Sequence, residues 1–245
     1  MVKKIAIIGG SGLDNPNILK NPIEKEANNK FGQPSSELTC GKIDGIDVVI
    51  LARHGKDHGI IPTKVNFLAN IEALKDEGCT HILAVTAVGS LRKEIKPGNL
   101  VFPDQFIDFT RHRNLTFFTE KVIHTAMSEP YNKHLTDVLV KTCDELKFEY
   151  NKGVTVITIE GPRFSTKAES HMFRAWGADI INMSTCPEVI LANELGIPYQ
   201  TIAMSTDYDC WKDDEAPVTY EMILQRMKEN TEKVKTLLIK VVGRI

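Results

Sequence analysis

Short runs of apolar residues alternate with longer segments of helical periodicity along this chain. Several runs are continuous rather than alternating, which is typical of strands in a sheet that is covered on both faces. Strands are predicted at Ile5–Ile8, Val48–Ala52, Ile82–Val88, Leu100–Phe102, Val154–Ile159, Ile180–Met183 and Gln200–Met204. Helical segments separate many of them and no linker or repeat interrupts the pattern, so the sequence predicts one α/β domain over residues 1–245.

Helical periodicity is clearest from Thr219 to Val241, where an apolar stripe has lysines and glutamates opposite it. Two sequences typical of capping boxes begin at Thr166 and Thr185. Further helices are predicted at Thr63–Glu77, Asn132–Lys147, Thr166–Trp176 and Pro187–Leu195. Segments with little periodicity predict irregular loops at Lys20–Ser36 and Arg111–Ser128.

Composition places the 245 residues among ordinary globular proteins, with 42% hydrophobic and 25% charged residues. A net charge of −2 gives no reason to expect nucleic acid or an acidic membrane as a partner. No run approaches the roughly 18 apolar residues of a membrane span. The five cysteines are scattered without a CxxC pair, which argues against disulfides and a zinc site and fits a reducing cytoplasm.

Two acidic residues, Asp207 and Asp209, follow the predicted strand Gln200–Met204 closely. A carboxylate at the end of a buried strand is costly unless it meets water, a cation or a hydrogen-bonding ligand. Open α/β sheets bind their ligands beyond the carboxyl ends of the strands. An acidic surface turn is the alternative, because aspartate is common in turns. The chemistry of the other strand ends decides between these two interpretations.

Three other strand ends carry groups that suit an anion. Ser11 lies in a glycine-rich turn after the first strand; this turn matches neither the dinucleotide fingerprint, because Asn15 holds the third glycine position, nor a P-loop, because it lacks the lysine. Arg53 and His54 follow the second predicted strand, and Thr86 lies where the third closes. Each motif alone is compatible with a plain turn or a solvated loop, but together they predict a phosphate or carboxylate site.

Two junctions between a strand and a helix repeat this pattern. Phe164 has two interpretations: a place in the core, which is usual for phenylalanine, or stacking on a planar ligand, which its position in a Gly-Pro turn rather than on a periodic face allows. Ser184 and Thr185 come at a helix start, where the helix dipole favours an anion.

Assembled in order, these motifs resemble those of the trimeric purine nucleoside phosphorylase superfamily, above all its members that act on 5'-methylthioadenosine. The matching segments span nearly the whole chain: Ile5–Leu13, Arg53–Gly55, Thr86–Arg92, Asp104–Asp108, Glu160–Ser165, Asn182–Ser184 and Ile202–Trp211. The resemblance implies a three-layer α/β/α fold with a mixed, largely parallel central sheet. It also implies phosphorolysis of a purine nucleoside in purine and methionine salvage, with phosphate as co-substrate and no cofactor or metal.

The same resemblance implies a role for each group of site residues. The phosphate would be held by Ser11, Arg53, His54, Thr86, Ala87 and Ser184. The nucleoside would be contacted by Phe164, Ser165, Met183, Asp207 and Asp209. The pocket for the 5' group would be lined by Tyr220, Ile223 and Leu224. His124 would reach into a neighbouring subunit's site, which implies a homo-oligomer, either a trimer or a dimer of trimers.

The two acids also indicate the base. The purine leaves with negative charge when the C1'–N9 bond breaks, and protonation at N7 stabilises it. Adenine presents N7 as an acceptor and its 6-amino group as a donor, and a protonated carboxyl complements both. We therefore assign Asp207 as the general acid, with a pKa raised by burial and by Asp209. Which of the two acids carries the proton stays open.

Alternatives remain at this point. Within the phosphorylases they are methylthioinosine, inosine, guanosine and adenosine as substrates. A nucleosidase that uses water is disfavoured by Arg53 and His54, because water needs no anion clamp. A non-catalytic nucleotide-binding regulator on the same fold is disfavoured by the full set of phosphate and base residues.

Overall fold

The computed structural model describes residues 3–10, 17–213 and 219–245, with the side chains of residues 220, 223–225 and 229 excepted. Its strands are β1 (Lys4–Gly9), β2 (Lys20–Lys25), β3 (Leu38–Ile43), β4 (Ile46–Ala52), β5 (His81–Ser90), β6 (Leu100–Phe109), β7 (Tyr150–Ile159), β8 (Ile180–Asn182) and β9 (Tyr199–Asp207). Its α-helices are α1 (Phe67–Asp76), α2 (Lys133–Leu146), α3 (Lys167–Ala175), α4 (Thr185–Glu194) and α5 (Tyr220–Val242). In these described ranges, no helix combines the length and the apolar character that crossing a membrane requires.

The strands form one mixed sheet in the order β2-β3-β4-β1-β5-β8-β7-β6-β9. Strands β4, β1, β5 and β9 run parallel to one another, so their carboxyl ends meet at one edge. Because β5 also pairs with β9, the strands β5, β8, β7, β6 and β9 close into a ring. The predicted mixed α/β fold is confirmed, and the closed ring is a feature that the sequence patterns did not indicate.

Hydrophobic packing covers both faces of the sheet and follows the alternation of side chains along β1. Ile5 and Ile7 join a core to which α2 and α5 contribute. Ala6 and Ile8 join the opposite core, to which α1 and α4 contribute. A third, smaller cluster packs Phe173 of α3 against residues of β7 and β8. Helices on both faces give the three layers that the resemblance implied.

All of the predicted strands and helices are present, with shifted ends. β5 continues to Ser90, so Thr86 lies inside this strand rather than past its end. α1 begins at Phe67 instead of Thr63, because the side chain of Asn66 accepts a backbone hydrogen bond and caps the helix there. The shifts change where the strands end but not which segments form them.

The sequence patterns missed β2 and β3, and the loop predicted at Lys20–Ser36 is wrong where β2 lies. All residues of β2 are exposed, so the sequence has no alternating apolar pattern from which this strand could be predicted. β3 joins β4 through Asp44 and Gly45, whose φ angles are 46° and 85°. An Asp-Gly pair between two strands is a hairpin signal that the sequence does carry. The loop predicted at Arg111–Ser128 is present.

One of the two predicted capping boxes is formed. The hydroxyl of Thr166 accepts the N–H of Glu169 at 3.1 Å, and the carboxylate of Glu169 accepts the N–H of Thr166 at 2.7 Å. The box predicted from Thr185 to Glu188 is wrong. Ser184 is the N-cap of α4 and makes no capping bond with its side chain, while Glu188 belongs to a buried ion pair.

Thr166→Ala should lower the free energy of unfolding by about 1 kcal/mol, because the first turn of α3 loses its side-chain acceptor. Equilibrium unfolding in urea measures the change. Thr236→Ala is the matched control, since Thr236 is exposed within α5 and its hydroxyl donates to the carbonyl of Glu232 one turn earlier. The control should change stability by less than about 0.5 kcal/mol. Equal losses in the two variants would contradict the capping role.

Candidate active site

A cavity of about 300 Å³ opens at the edge where the parallel strands end. Its wall comes from β5, β8 and β9 and from the segments that follow β1, β4, β7 and β8. Among its lining residues are Gly10, Arg53, His54, Thr86, Ala87, Phe164, Ser165, Met183, Ser184, Asp207 and Asp209. Apolar pockets of this size with a few convergent polar groups are typical small-molecule sites.

One half of the cavity is rich in hydroxyl groups. The oxygens of the buried Thr86 and Ser184 side chains lie 2.8 Å apart. Asn182 fixes the junction between β8 and α4: its Oδ1 accepts the hydroxyl of Thr158 at 2.9 Å, and its amide donates to Thr185 Oγ1 at 2.6 Å. Two hydroxyls beside the first turn of α4 therefore line one space, and this arrangement suits an anion.

Arg53 supplies the cation of this hydroxyl-rich half and is 1% exposed. Its Nε and Nη2 donate to the two carboxylate oxygens of Glu188, the Nη2 bond being 3.0 Å long, and its Nη1 donates to the carbonyl of Val85 at 2.9 Å. Tyr199 donates its hydroxyl to the same carboxylate at 3.1 Å. Gly10 leaves room for this arrangement, because a Cβ there would lie 2.8 Å from Arg53 Nη1 and from the Val85 oxygen. The guanidinium is therefore fixed at the cavity wall.

His54 lines the cavity in the segment after β4. Its Nδ1 lies 2.8 Å from the carbonyl oxygen of Ile60. Because a carbonyl only accepts, Nδ1 carries a proton, and Nε2 is the acceptor of the neutral ring or a second donor of the charged ring. The His58 ring packs beside it with a centroid distance of 4.8 Å. His58, Ile61 and Pro62 line the cavity as well.

The other half of the cavity holds the two acids at the end of β9. The N–H of Asp209 donates to Asp207 Oδ1 at 2.7 Å, and the hydroxyl of Thr206 donates to Asp207 Oδ2 at 2.6 Å. Ser165 Oγ lies 2.7 Å from both carboxylate oxygens of Asp209. Asp209 has a left-handed backbone with φ 51°, a conformation that aspartate adopts more readily than most residues do. Both acids thus belong to one hydrogen-bond network.

Burial raises the pKa of Asp207 to about 6. The hydrogen bonds from Thr206 and from the Asp209 N–H act in the opposite direction, and the charge of Asp209 adds a smaller raising effect. Asp207 therefore holds its proton to a higher pH than an ordinary aspartate does. A carboxyl group of this kind is suited to general-acid chemistry.

A bulge in the pairing of β5 with β9 sets the direction of Asp207. Val88 pairs with Ser205, but the next residue, Gly89, pairs with Asp207, so Thr206 is an extra residue in β9. One extra residue reverses the face on which the following side chains lie. Gly89 also leaves room, because a Cβ there would lie 3.1 Å from Asp207 Oδ1.

Apolar side chains complete the cavity. Phe164 is 43% exposed and lines the cavity, so the alternative place in the core is wrong for this residue. Met183 packs on Gly161, which has φ 69° and where a Cβ would lie 2.5 Å from the Met183 sulfur. A side chain at residue 161 would therefore displace Met183 from the wall.

Ten of the residues predicted for the site line this one cavity. Ser11 lies outside the described residues, as do the side chains of Tyr220, Ile223 and Leu224. His124 is exposed on the loop after β6 and is not among the residues that line the cavity. Its role in a neighbouring subunit's site stays a prediction.

The sequence patterns did not reveal two site features, Glu188 and the segment Ile60–Pro62. Asn182 lies in one of the matching motifs, but the motif indicates no role for its side chain. The capping-box pattern gave Glu188 a local role in its own helix. A contrary signal was present, since Glu188 directly precedes the apolar run Val189–Ala192. An acid in such a run is buried and requires a cation or hydrogen-bond donors.

One cavity at the carboxyl edge of a mixed sheet combines a buried arginine and hydroxyls with an aspartate of raised pKa. These groups suit nucleoside phosphorolysis, which requires an anion and a proton donor in one site. The sequence matches the family described as Phosphorylase superfamily over residues 4–243. The chain belongs to this phosphorylase superfamily, and the resemblance drawn from its motifs is confirmed.

Within this superfamily, the chain is similar to proteins named as methylthioadenosine phosphorylases. The S-methyl-5'-thioadenosine phosphorylase of Xenopus tropicalis is 52% identical over 249 residues, which cover 99% of this chain and 89% of that protein. Methylthioadenosine phosphorylase from Schistosoma mansoni, in complex with adenine, has a TM-score of 0.95 at 38% identity and coverage of 100% and 92%. A mutant adenosine/methylthioadenosine phosphorylase from the same organism, in complex with methylthioadenosine, has a TM-score of 0.94 at 38% identity and coverage of 100% and 91%.

Asp207→Asn should change how stability depends on pH. The folded protein holds the Asp207 proton up to a pH of about 6, whereas an unperturbed aspartate releases it near 3.8. The stability from this group is fully present below the lower value and is lost as the pH rises through the window, by about 3 kcal/mol at most. Relative to wild type, the Asn variant should therefore gain stability from about pH 4 to about pH 7 in urea unfolding. A difference that stays constant with pH would contradict the raised pKa.

Proposed function

We propose that this chain catalyses the phosphorolysis of 5'-methylthioadenosine to adenine and 5-methylthioribose-1-phosphate, as a pentosyltransferase of purine and methionine salvage. One observation carries this function: a single cavity combines a buried arginine and hydroxyls with an aspartic acid of raised pKa. The names of the relatives in Xenopus and Schistosoma support the choice of nucleoside.

Phosphate binds in the hydroxyl-rich half of the cavity. Arg53 provides the charge, Thr86 and Ser184 donate from their hydroxyls, and the backbone N–H of Ala87 and the ring of His54 complete the set. Ser11 joins this set on the strength of the sequence motif. Phosphate held here stands beside the positive charge that develops at C1' as the glycosidic bond breaks, where a negative charge stabilises the transition state.

The purine binds against the two acids. Asp207 in its protonated form donates to N7 and accepts from the 6-amino group, and the N–H of Asp209 orients it. Ser165 holds the carboxylate of Asp209 and faces the base. A general acid of this kind contributes about 10²–10⁴-fold to the rate. The proton belongs to the pair, so its apparent pKa is a property of both acids.

The remaining contacts select the sugar and its 5' group. Phe164 stacks on the nucleoside, and Met183 lies near the ribose hydroxyls. Tyr220, Ile223 and Leu224 are assigned to the 5' group on the strength of the sequence motif alone, and their apolar character suits a methylthio group better than a free hydroxyl. A neighbouring subunit closes this pocket with His124, so the active form is a homo-oligomer, a trimer or a dimer of trimers.

Phosphate is the only co-reactant that this reaction requires, so we propose that no cofactor or metal takes part. Among the described residues, no group of three His, Cys, Asp or Glu side chains is placed to hold a metal ion. The free cysteines fit a reducing compartment, and we place the protein in the cytoplasm.

Adenosine is the second candidate substrate, because the Schistosoma relative is named for both adenosine and methylthioadenosine. Methylthioinosine, inosine and guanosine fit less well, since their 6-oxo group is an acceptor that an amide serves better than a carboxylate does. Hydrolysis by water leaves the buried Arg53 without a catalytic role.

A panel of methylthioadenosine, adenosine, methylthioinosine and inosine, each with and without phosphate, tests this function. We expect turnover of methylthioadenosine only with phosphate, with adenine and a pentose-1-phosphate as products. Liquid chromatography of the products measures both. Turnover that is independent of phosphate would indicate a nucleosidase and contradict the proposal.

Asp207→Asn should move the preference from 6-amino toward 6-oxo nucleosides by at least about tenfold in the ratio of kcat/KM values, because the amide donates to O6 and accepts from a protonated N7. Asp108→Asn is the matched control: Asp108 caps the N–H of Thr110 at 2.8 Å, away from the cavity lining. The control should keep the wild-type preference. If the Asp207 variant also keeps the wild-type preference, Asp207 does not discriminate between the 6-amino and the 6-oxo group.

A further inference from the structure

Arg53 pairs with the buried acid Glu188, and we propose that Glu188 is a positioning residue for the phosphate co-substrate. Glu188 holds the guanidinium of Arg53 in the plane in which it meets phosphate. The role rests on the proposed function, since it requires that phosphate is a reactant. Glu188 itself is not among the residues that line the cavity, so it acts through Arg53.

The contact between the two residues is bidentate and buried. Glu188 is 0% exposed and Arg53 is 1% exposed. Each carboxylate oxygen accepts from a different nitrogen, Nε or Nη2. Two parallel bonds between a planar carboxylate and a planar guanidinium fix both the distance and the plane of the arginine, which a single charge contact does not. The bond from Nη1 to the Val85 carbonyl fixes the same plane from a third direction.

Glu188 is itself held rigidly. It lies in the first turn of α4, and the hydroxyl of Tyr199 donates to its Oε2 at 3.1 Å. Tyr199 is 1% exposed, and burial raises its pKa well above the ordinary value, so the hydroxyl remains a donor at any physiological pH. A fixed donor behind the carboxylate leaves Glu188 one orientation toward Arg53.

The start of α4 also connects residues from separate strands in the hydroxyl-rich half of the cavity. Arg53 follows β4, and Thr86 lies within β5. The segment Ser184–Glu188 touches both of them: Ser184 bonds to the hydroxyl of Thr86 at 2.8 Å, and Glu188 pairs with Arg53. One short segment at the start of α4 therefore sets the relative positions of the arginine and the hydroxyls.

Neutralising a buried charge is the other role that an acid can have here, and the two roles predict opposite effects on phosphate. If Glu188 served only to offset the charge of Arg53, its removal would strengthen the attraction of the site for an anion. If Glu188 positions Arg53, its removal weakens phosphate binding, because the arginine turns toward other acceptors. The sign of the change therefore separates the roles.

Glu188→Gln keeps the shape of the side chain but replaces one acceptor oxygen with a donor, which cannot pair with a guanidinium N–H. We expect the KM for phosphate to rise at least about tenfold, with the KM for methylthioadenosine within about twofold of wild type. Titration calorimetry with inorganic phosphate, in the absence of nucleoside, should show a matching loss of affinity. Glu188→Asp, which keeps the charge and both oxygens, should recover part of it.

Glu194→Gln is the matched control, because Glu194 ends the same helix and accepts from the Thr116 hydroxyl and the Phe117 N–H. It should leave the KM for phosphate unchanged, whereas a general loosening of α4 would raise it in both variants and overturn the inference. An unchanged or lower phosphate KM in Glu188→Gln would overturn it as well.

Tyr199→Phe keeps the test open if Glu188→Gln does not fold. Loss of the hydroxyl behind the carboxylate should raise the phosphate KM by about two- to fivefold, and no change would overturn the inference. Wild-type turnover that needs no phosphate would overturn the proposed function and the inference with it. Wild-type dependence on phosphate, with unchanged phosphate affinity in Glu188→Gln, would overturn the inference alone.

Discussion

The pairing of β5 with β9 is the constraint on which the rest of the site depends. It places Thr86 and Asp207 on neighbouring strands, so a hydroxyl proposed for phosphate and the proposed general acid line one cavity. The bulge at Thr206 then decides which face of the sheet Asp207 occupies. The same pairing closes the ring that brings β8, with Asn182 and the start of α4, to this edge. Strand register here determines function as directly as side-chain identity does.

The cavity contains an arginine and an aspartate whose electrostatic requirements differ. The general-acid role proposed for Asp207 requires a raised pKa, which the charge of an uncompensated arginine nearby would lower. The charged group that raises the pKa of Asp207 beyond the effect of burial is its neighbour Asp209. The positive charge of Arg53 is neutralised by its ion pair with Glu188. A buried ion pair in one half of the site is thus compatible with a protonated acid in the other half.

Much of this arrangement could be predicted from the sequence. The strands of a covered sheet are continuous apolar runs, and the polar residues that line the cavity lie at or near the ends of these runs. The positions of Arg53, Ser184 and Asp207 followed from that rule. The pairing of β5 with β9 could not, since strand neighbours far apart in the chain leave no local pattern. Glu188 was misread for a related reason: its nearest sequence signal is a cap, while its partner lies 135 positions away. The exposed strand β2 had no apolar face to detect.

In the part of the chain that the structure describes, β2 forms an open border of the sheet, at the opposite end of the strand order from the ring. Such a border offers backbone groups to any passing strand and invites aggregation. β2 reads Lys-Asn-Pro-Ile-Glu-Lys, with a proline that cannot donate and a lysine at each end. Pro22 and these lysines, Lys20 and Lys25, make the border a poor template for another chain. Pairing between the β2 strands of two copies of this chain is therefore disfavoured.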